Sequence, residues 1–530
     1  MNPTSWEFPY WSQRMPVLAT NVVATSQPLA AQAGLRMLLK GGNAADAIVA
    51  TAAALTVVEP VMNGIGSDAF SLLWDGTALH GLNASGHSPA AWTPERFAGR
   101  TQMPITGWDA VTVPNVISAW AAISQRFGKL PFADLFEPAI GYAEDGFLVS
   151  PTVARQWASQ VDKFKSEPGF ADAFMPGGRA PRAGERFRLP AQARTLREIA
   201  ESRGEAFYRG ALAQRIAAAS AAQGGALTTA DLAAHQPEWV QPISQGYRAH
   251  RLHEIPPNGQ GIAALIALGI LEQFDLASLP PESPESVHLQ LEAMKLAFAD
   301  VYRYVSDPRT MSVTAAQMLD PAYLKQRAAL IDRGRAQDFG AGGPPPSGTV
   351  YLAAADAGGM MVSYIQSNYM GFGSGVVVPD SGIALQNRGS GFSLVPGHPN
   401  QVGPRKRPFH TIIPAFATAQ GAPLMSFGVM GADMQPQGHV QIMVRTTDYG
   451  QNVQAAADAP RWKVTLDKAV IVESHMPQPT VARLAQMGHN IRQTERWSLE
   501  YGSAQLIHRL GDGGYLAASE PRRDGQAVGF

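Results

Sequence analysis

Between Gln27 and Val58 apolar residues recur at helical spacing in an alanine-rich stretch that Gly41-Gly42-Asn43 interrupts, which predicts two packed helices. The period then changes. Ser71 to Gly81 alternates and turns at Asp75-Gly76, which predicts a hairpin and the start of a sheet. Residues 115–300 return mostly to the helical period, with breaks at Pro131, Pro138, the loop from Pro176 to Pro190, and Pro256-Pro257. This half is expected to form a helical cover. The run GAGGPPPSG at 340–348 has no periodicity and cannot continue a helix, so an exposed loop is expected. Directly after it TVYLAAAD and MMVSYIQSNY alternate on either side of Ala357-Gly358-Gly359, predicting a strand pair. A second strand group, HTIIPAFATA and LMSFGVMG, surrounds Gly421. No internal repeat is present.

At 530 residues the chain exceeds the usual size of a single core, which leaves two or three domains or one large layered α/β body. Its 45% hydrophobic and 16% charged residues, with 52 Gly and 40 Pro, describe a folded protein rich in turns. Lys plus Arg (42) nearly cancels Asp plus Glu (43), so no net field favours nucleic acid or an anionic membrane. There is no cysteine, so disulfides, thiolate metal sites and a Cys nucleophile are excluded. The first 25 residues hold no apolar signal core, and the longest apolar stretch, Ala44 to Val58, is shorter than a membrane span needs. A soluble cytoplasmic enzyme is therefore expected.

Any covalent nucleophile must be an oxygen or an amine. If the Gly348–Thr349 bond is cut, the freed α-amine of Thr349, with an unperturbed pKa of roughly 7.7–8.0, can take the proton of its own hydroxyl. One residue then supplies nucleophile and base. Gly348 hinders the bond little, and the strand after it holds Thr349 rigidly. The plain alternative is a threonine that opens a strand for packing reasons.

The chain carries ATSQPLAAQAGLRMLLKGGNAADAIVATAAALTVVEP, then GIGSDAF, PPNGQGIAALIALGILE, FGSGVVVPDSGIALQN, GPRKRPFHTIIP, DYGQNVQAAADAPRW and AASEPRRDGQAVGF. In this order these blocks resemble the γ-glutamyltranspeptidase family over nearly the whole length. The resemblance implies a four-layer αββα N-terminal-nucleophile hydrolase fold and a proenzyme that splits itself ahead of its catalytic threonine, here Thr349. Residues 1–348 would form a large chain and 349–530 a small one, interlocked as a heterodimer. It also implies that Ser367 assists the nucleophile, as a serine where the family has threonine. Gly431-Ala432 in GVMGADMQPQG would offer backbone N–H groups to an oxyanion.

Other family positions differ. The family arginine falls on Ser85, the aspartate that meets a substrate amine on Gly391, the Ser-Ser pair on His410-Thr411, and the strand asparagine on Tyr369. Arg388 stands in place of a glutamine, and His87 lies near the lost arginine. These changes resemble the branch that includes oxamate amidohydrolase and some cephalosporin acylases. An ammonium without its carboxylate costs several kcal/mol when buried, so a glutamyl substrate is expected to bind badly, while Arg388, Tyr369, His410, Thr411, His87 and Ser85 are the candidate contacts for a small amide bearing a carboxylate. Oxamate, hydrolysed to oxalate and ammonia, suits them. Glutathione hydrolysis or γ-glutamyl transfer, cephalosporin deacylation, and an unprocessed binding protein remain the alternatives. The histidines show no HExxH spacing, and no G-x-S-x-G elbow, phosphate loop or dinucleotide fingerprint occurs, so no metal or other cofactor is expected.

Overall fold

Two side chains start the predicted helices. Gln27 accepts from the N–H groups of Leu29 and Ala30 to cap Pro28–Leu39, and Asn43 forms a capping box with Asp46 at the head of Ala44–Val58. Every residue of Ala44–Val58 is buried, which its small side chains allow by letting a helix lie close on a sheet. In the computed structural model, residues 14–167, 169–339, 348–465, 467–494 and 498–530 are described. The loop expected at 340–348 lies outside them, except for Gly348.

Two seven-stranded sheets form the centre. The first runs Gln526–Gly529, Val22–Thr25, Gly348–Ala355, Met361–Tyr369, Asp68–Trp74, Leu79–Ala84, Glu238–Val240. The second runs Val17–Ala19, Tyr515–Ser519, Ser503–Arg509, Ala422–Met430, Ala415–Ala419, His250–Glu254, Ile243–Tyr247. Helices Pro28–Leu39 and Ala44–Val58 cover the outer face of the first sheet, and Ile262–Leu271 and Met434–Thr447 cover the second. These are the four αββα layers that the family resemblance implied.

The inner faces meet where Tyr351 lies against Gly428 and where the Ser363 hydroxyl, 2.7 Å from the Tyr351 hydroxyl, donates to the Phe427 carbonyl at 3.2 Å. Lower numbers on the 348–355 strand thus face higher numbers on the 422–430 strand. At roughly 3.3 Å per residue, two further steps from Tyr351 bring Thr349 toward Met430 and Gly431.

Two expectations are corrected and a third gains detail. The stretch 115–300 is mostly helical, as expected, but also contributes Glu238–Val240 and Ile243–Tyr247 as edge strands and His250–Glu254 inside the second sheet. Half-exposed edge strands lack the long apolar alternation by which sheet is recognised. Pro138 does not break a helix but sits in the first turn of Glu137–Asp145, where a missing N–H costs nothing. Residues 411–414 of HTIIPAFATA are not strand, which begins at Ala415. Among the described residues no helix is long and apolar enough to cross a membrane.

A β-carbon added at Gly428 would meet the Tyr351 ring at 2.4 Å, and an aromatic ring pinned by a hydroxyl bond has little room to give. Gly428→Ala is expected to lower stability by about 1–3 kcal/mol, read as a lower urea midpoint. An unchanged midpoint would show that the sheets can part there freely.

Candidate active site

The 348–355 and 361–369 strands pair Gly348 with Tyr369 and Val350 with Gln366, so two steps on one strand answer three on the other. That bulge sets Thr349 opposite Ser367 and Asn368, with the Ser367 side chain toward Thr349 and the Asn368 amide oxygen accepting from Ser67. The Thr349 hydroxyl donates to the Ser367 Oγ at 3.2 Å, with both residues buried. Ser367 Oγ also accepts from the Tyr369 N–H at 2.8 Å. Tyr369 itself has φ of 75°, a left-handed conformation that costs a side-chain-bearing residue of the order of 1 kcal/mol. The strain turns the strand end and lays the ring under Arg388, whose guanidinium carbon is 4.0 Å from the ring centroid.

Arg388 opens a short 3₁₀ turn, Arg388–Gly391, and is 0% exposed. Its Nη1 donates to Thr411 Oγ1 at 2.9 Å, and its Nε stands 3.9 Å from Asp68 Oδ2, too far for a hydrogen bond. Nε and Nη2 have no hydrogen-bond partner among the described residues. These two donors form one edge of the guanidinium, the edge that grips both oxygens of a carboxylate. Burial pushes the Arg388 pKa down to about 10, with Asp68 opposing, so it stays charged near neutrality.

Asp68 was not singled out from the sequence. It pairs across the sheet with Ser367, is wholly buried, and accepts from His410 Nε2 at 2.9 Å and Asn115 Nδ2 at 3.3 Å. Burial pushes its carboxyl up to about 7, against Arg388, the Asn115 amide and the Gly86 N–H. Burial, and then the Arg388 charge, push His410 well below its ordinary value. Near neutral pH the imidazole is therefore uncharged and Asp68 lies at the edge of ionisation, with His410 Nδ1 facing the Ile412 N–H at 3.4 Å. A clue was present in GIGSDAF: an acidic residue opening a strand buried on both faces needs a partner.

Gly431 (φ 130°) and Ala432 (φ 59°) bend the chain between the 422–430 strand and the helix Met434–Thr447. Gln260 Nε2 holds the Ala432 carbonyl at 2.7 Å and the Thr411 carbonyl at 2.6 Å. The other predicted contacts are spread out. Thr411 touches Arg388. Ser85 is buried and bonded to Asn83 and Asn258, and its carbonyl accepts from Arg407 Nε at 3.1 Å. His87 faces Arg407, Arg309, Asp307 and Glu238, with burial and then Arg407 pushing it down to about 4. Gly391 brings no side chain to the aspartate position.

One further group could hold a metal by geometry: His288, Glu292 and His489, whose ligand atoms lie within 4.8 Å of one another. Lys295 Nζ already occupies that space, 2.6 Å from Glu292 and 3.4 Å from His489 Nδ1. His489 Nε2 meets His288 Nδ1 at 2.8 Å, and His288 Nε2 meets the Asp332 carbonyl at 2.8 Å. A cation there would have to displace the ammonium.

Residues 30–530 match the family Gamma-glutamyltranspeptidase. The Glutathione hydrolase-like YwrD proenzyme of Bacillus subtilis is 39% identical, covering 96% of this chain and 98% of its own. The Oxamate amidohydrolase proenzyme of Klebsiella pneumoniae is 38% identical, covering 95% and 97%. The crystal structure of cephalosporin acylase from Bacillus halodurans superposes with a TM-score of 0.95 at 49% identity, covering 100% and 99%.

Because Asp68 is raised in the folded state, its contribution to stability is present below the unfolded value near 3.9 and is lost as pH rises through about 7. Asp68→Asn lacks this loss. Its melting temperature is expected to gain on the wild type between pH 5.5 and pH 8, and a constant difference would show that Asp68 does not titrate there.

Proposed function

The chain belongs to the gamma-glutamyltranspeptidase family, and from that premise we propose that it is a self-cleaving amide hydrolase with Thr349 as nucleophile, acting on a small carboxylate-bearing amide such as oxamate. In the unbroken chain the Thr349 nitrogen is an amide and cannot serve as a base. Attack of its hydroxyl on the Gly348 carbonyl would form an ester to Oγ and break the C–N bond, the hydroxyl proton passing to the nitrogen and freeing the α-amine, and water would then cleave the ester to release residues 1–348. Each sheet is built from strands of both pieces, which supports a heterodimer whose parts stay together.

The observation that carries the substrate reading is the unpartnered edge of Arg388. A buried guanidinium with two adjacent free donors is matched by one carboxylate. With the carboxylate on Nε and Nη2, the neighbouring amide carbonyl would be presented to Thr349, linked to Arg388 through Ser367 and Tyr369. The hydroxyl would pass its proton to the α-amine as it attacks. Backbone N–H groups of Gly431 and Ala432, at the head of a helix, would face the oxyanion. The α-ammonium would protonate the departing ammonia, and the same amine would then draw a proton from the water that cleaves the ester. Asp68 already accepts from His410, Asn115 and Gly86. It has little left for a substrate ammonium, which supports oxamate over a glutamyl group.

A second reading is cephalosporin deacylation. It is favoured by the similarity to the Bacillus halodurans acylase and by a cavity of about 240 Å³ that borders Asp433, with Phe298, Tyr302 and Val464 in its wall. A bulky acyl side chain would need such apolar room.

Oxamate, glutathione and a cephalosporin assayed side by side separate these readings, with oxamate expected to be turned over fastest. Glutathione turnover alone would sink the proposal. Thr349→Ala is expected to run as one full-length band on a denaturing gel and to hydrolyse nothing. Splitting of that variant at the same bond would place the nucleophile elsewhere. Arg388→Met is expected to lower kcat/KM for oxamate by about 100-fold or more, from loss of a charge-assisted contact of roughly 3 kcal/mol.

A further inference from the structure

The Arg388 edge and Asp68 pose a problem of charge. One buried guanidinium faces one buried carboxylate at 3.9 Å, and both are closed off from water. The pair is neutral while both are ionised. A substrate carboxylate on Nε and Nη2 would place two carboxylates on one guanidinium and leave the site with a net negative charge. In a dry interior that state is costly, and like charges on a shared partner drive one of them to bind a proton.

The other groups facing Asp68 do not remove the excess. His410 donates to Asp68 Oδ2 as a neutral ring, so it adds no positive charge. Asn115 Nδ2 and the Gly86 N–H are neutral donors. Arg407 contributes a favourable field, but its guanidinium is engaged by the Ser85 carbonyl at 3.1 Å and Glu238 at 2.8 Å. Tyr208, which also senses Asp68, is neutral, with its hydroxyl on the Pro114 carbonyl at 3.2 Å.

We propose that Asp68 takes up a proton when a substrate carboxylate enters the Arg388 edge, so that this site binds an anion and a proton together. The balance is simple: an ionised Asp68, one carboxylate and one hydron become a neutral Asp68 carboxyl and a carboxylate paired with Arg388. The protonated carboxyl is no stranger to this environment, since burial already holds Asp68 near the edge of ionisation at neutral pH. Asp68 is a positioning residue in this scheme. It keeps Arg388 charged and its donors open in the free enzyme and gives up its own charge when the substrate arrives.

This rests on the reading of Arg388 as the carboxylate contact, and the test separates the two. Oxalate binding to the purified enzyme is followed by calorimetry at pH 8 in buffers of different ionisation heat, which counts protons. Asp68→Asn, nearly the same shape and still an acceptor for His410, is expected to take up about one proton fewer than the wild type. The wild-type Kd is expected to rise about tenfold per pH unit between pH 7.5 and 8.5, and that of Asp68→Asn by much less. The free α-amine of Thr349 titrates in the same range. If Asp68→Asn takes up as many protons as the wild type, the amine is the coupled group and the proposal is overturned. His410→Gln is expected to retain the uptake, and its loss there would put the proton on the imidazole instead. Absence of oxalate binding, or equal binding by Arg388→Met, would defeat the carboxylate reading of Arg388 and this inference with it.

Discussion

How closely two sheets can approach at Gly428 governs the geometry of everything at the site. The Tyr351 ring occupies the space where any other residue would carry a β-carbon, and the Ser363 hydroxyl ties the same point to the Phe427 carbonyl. That contact fixes the registration of one sheet on the other. Three residues farther along one strand the chain bends through Gly431 and Ala432, and two residues back along the other stands Thr349. Thr349 and the bend at Gly431-Ala432 thus belong to opposite sheets whose registration is set by packing rather than by a loop, which suits chemistry that tolerates little displacement.

Around that junction the fold gathers charge where charge is expensive. Arg388, Asp68 and His410 are all closed to solvent, and each is held by what the others need. Thr411 takes one guanidinium donor, Tyr369 supports its face, and His410 steadies the carboxylate opposite. Two donors are left over. Fully paired, this cluster would serve only the fold, as the buried Arg522 does with Glu473 and Glu520. An incomplete pairing in the interior is tolerated when something outside the chain completes it.

Much of this was visible before any coordinates. The helix pair with its Asn43 break, the hairpin at Asp75 and the strand pair after Gly348 follow from local periodicity and capping, which need no long-range information. The strands between 238 and 254 were missed because half-exposed short strands carry no strong alternation. At the site, Thr349, Ser367 and Arg388 could be placed from motif context, and the structure brings them into one chain of contacts. His87 and Ser85 are close in sequence but serve other partners, His87 lying in the field of Arg407 and the Ser85 hydroxyl bonding Asn83 and Asn258, because the directions of side chains just past a strand are not recorded by spacing. Asp68 was overlooked for a related reason. Its meaning depends on a strand partner some three hundred positions away, and register is a property of the folded sheet.

The strand order has a consequence for the molecule once a bond at Gly348–Thr349 is cut. In the first sheet, Val22–Thr25 from the upstream piece lies between two downstream segments, Gln526–Gly529 and the part of Gly348–Ala355 that follows the cut, and the second sheet is flanked by upstream strands on both edges. The halves share ladders and both cores, so neither owns a surface along which to leave. Such a pair would be expected to part only by unfolding: dilution would not separate it, its persistence would be set by the unfolding rate, and two pieces made apart would face a folding problem, not a docking one.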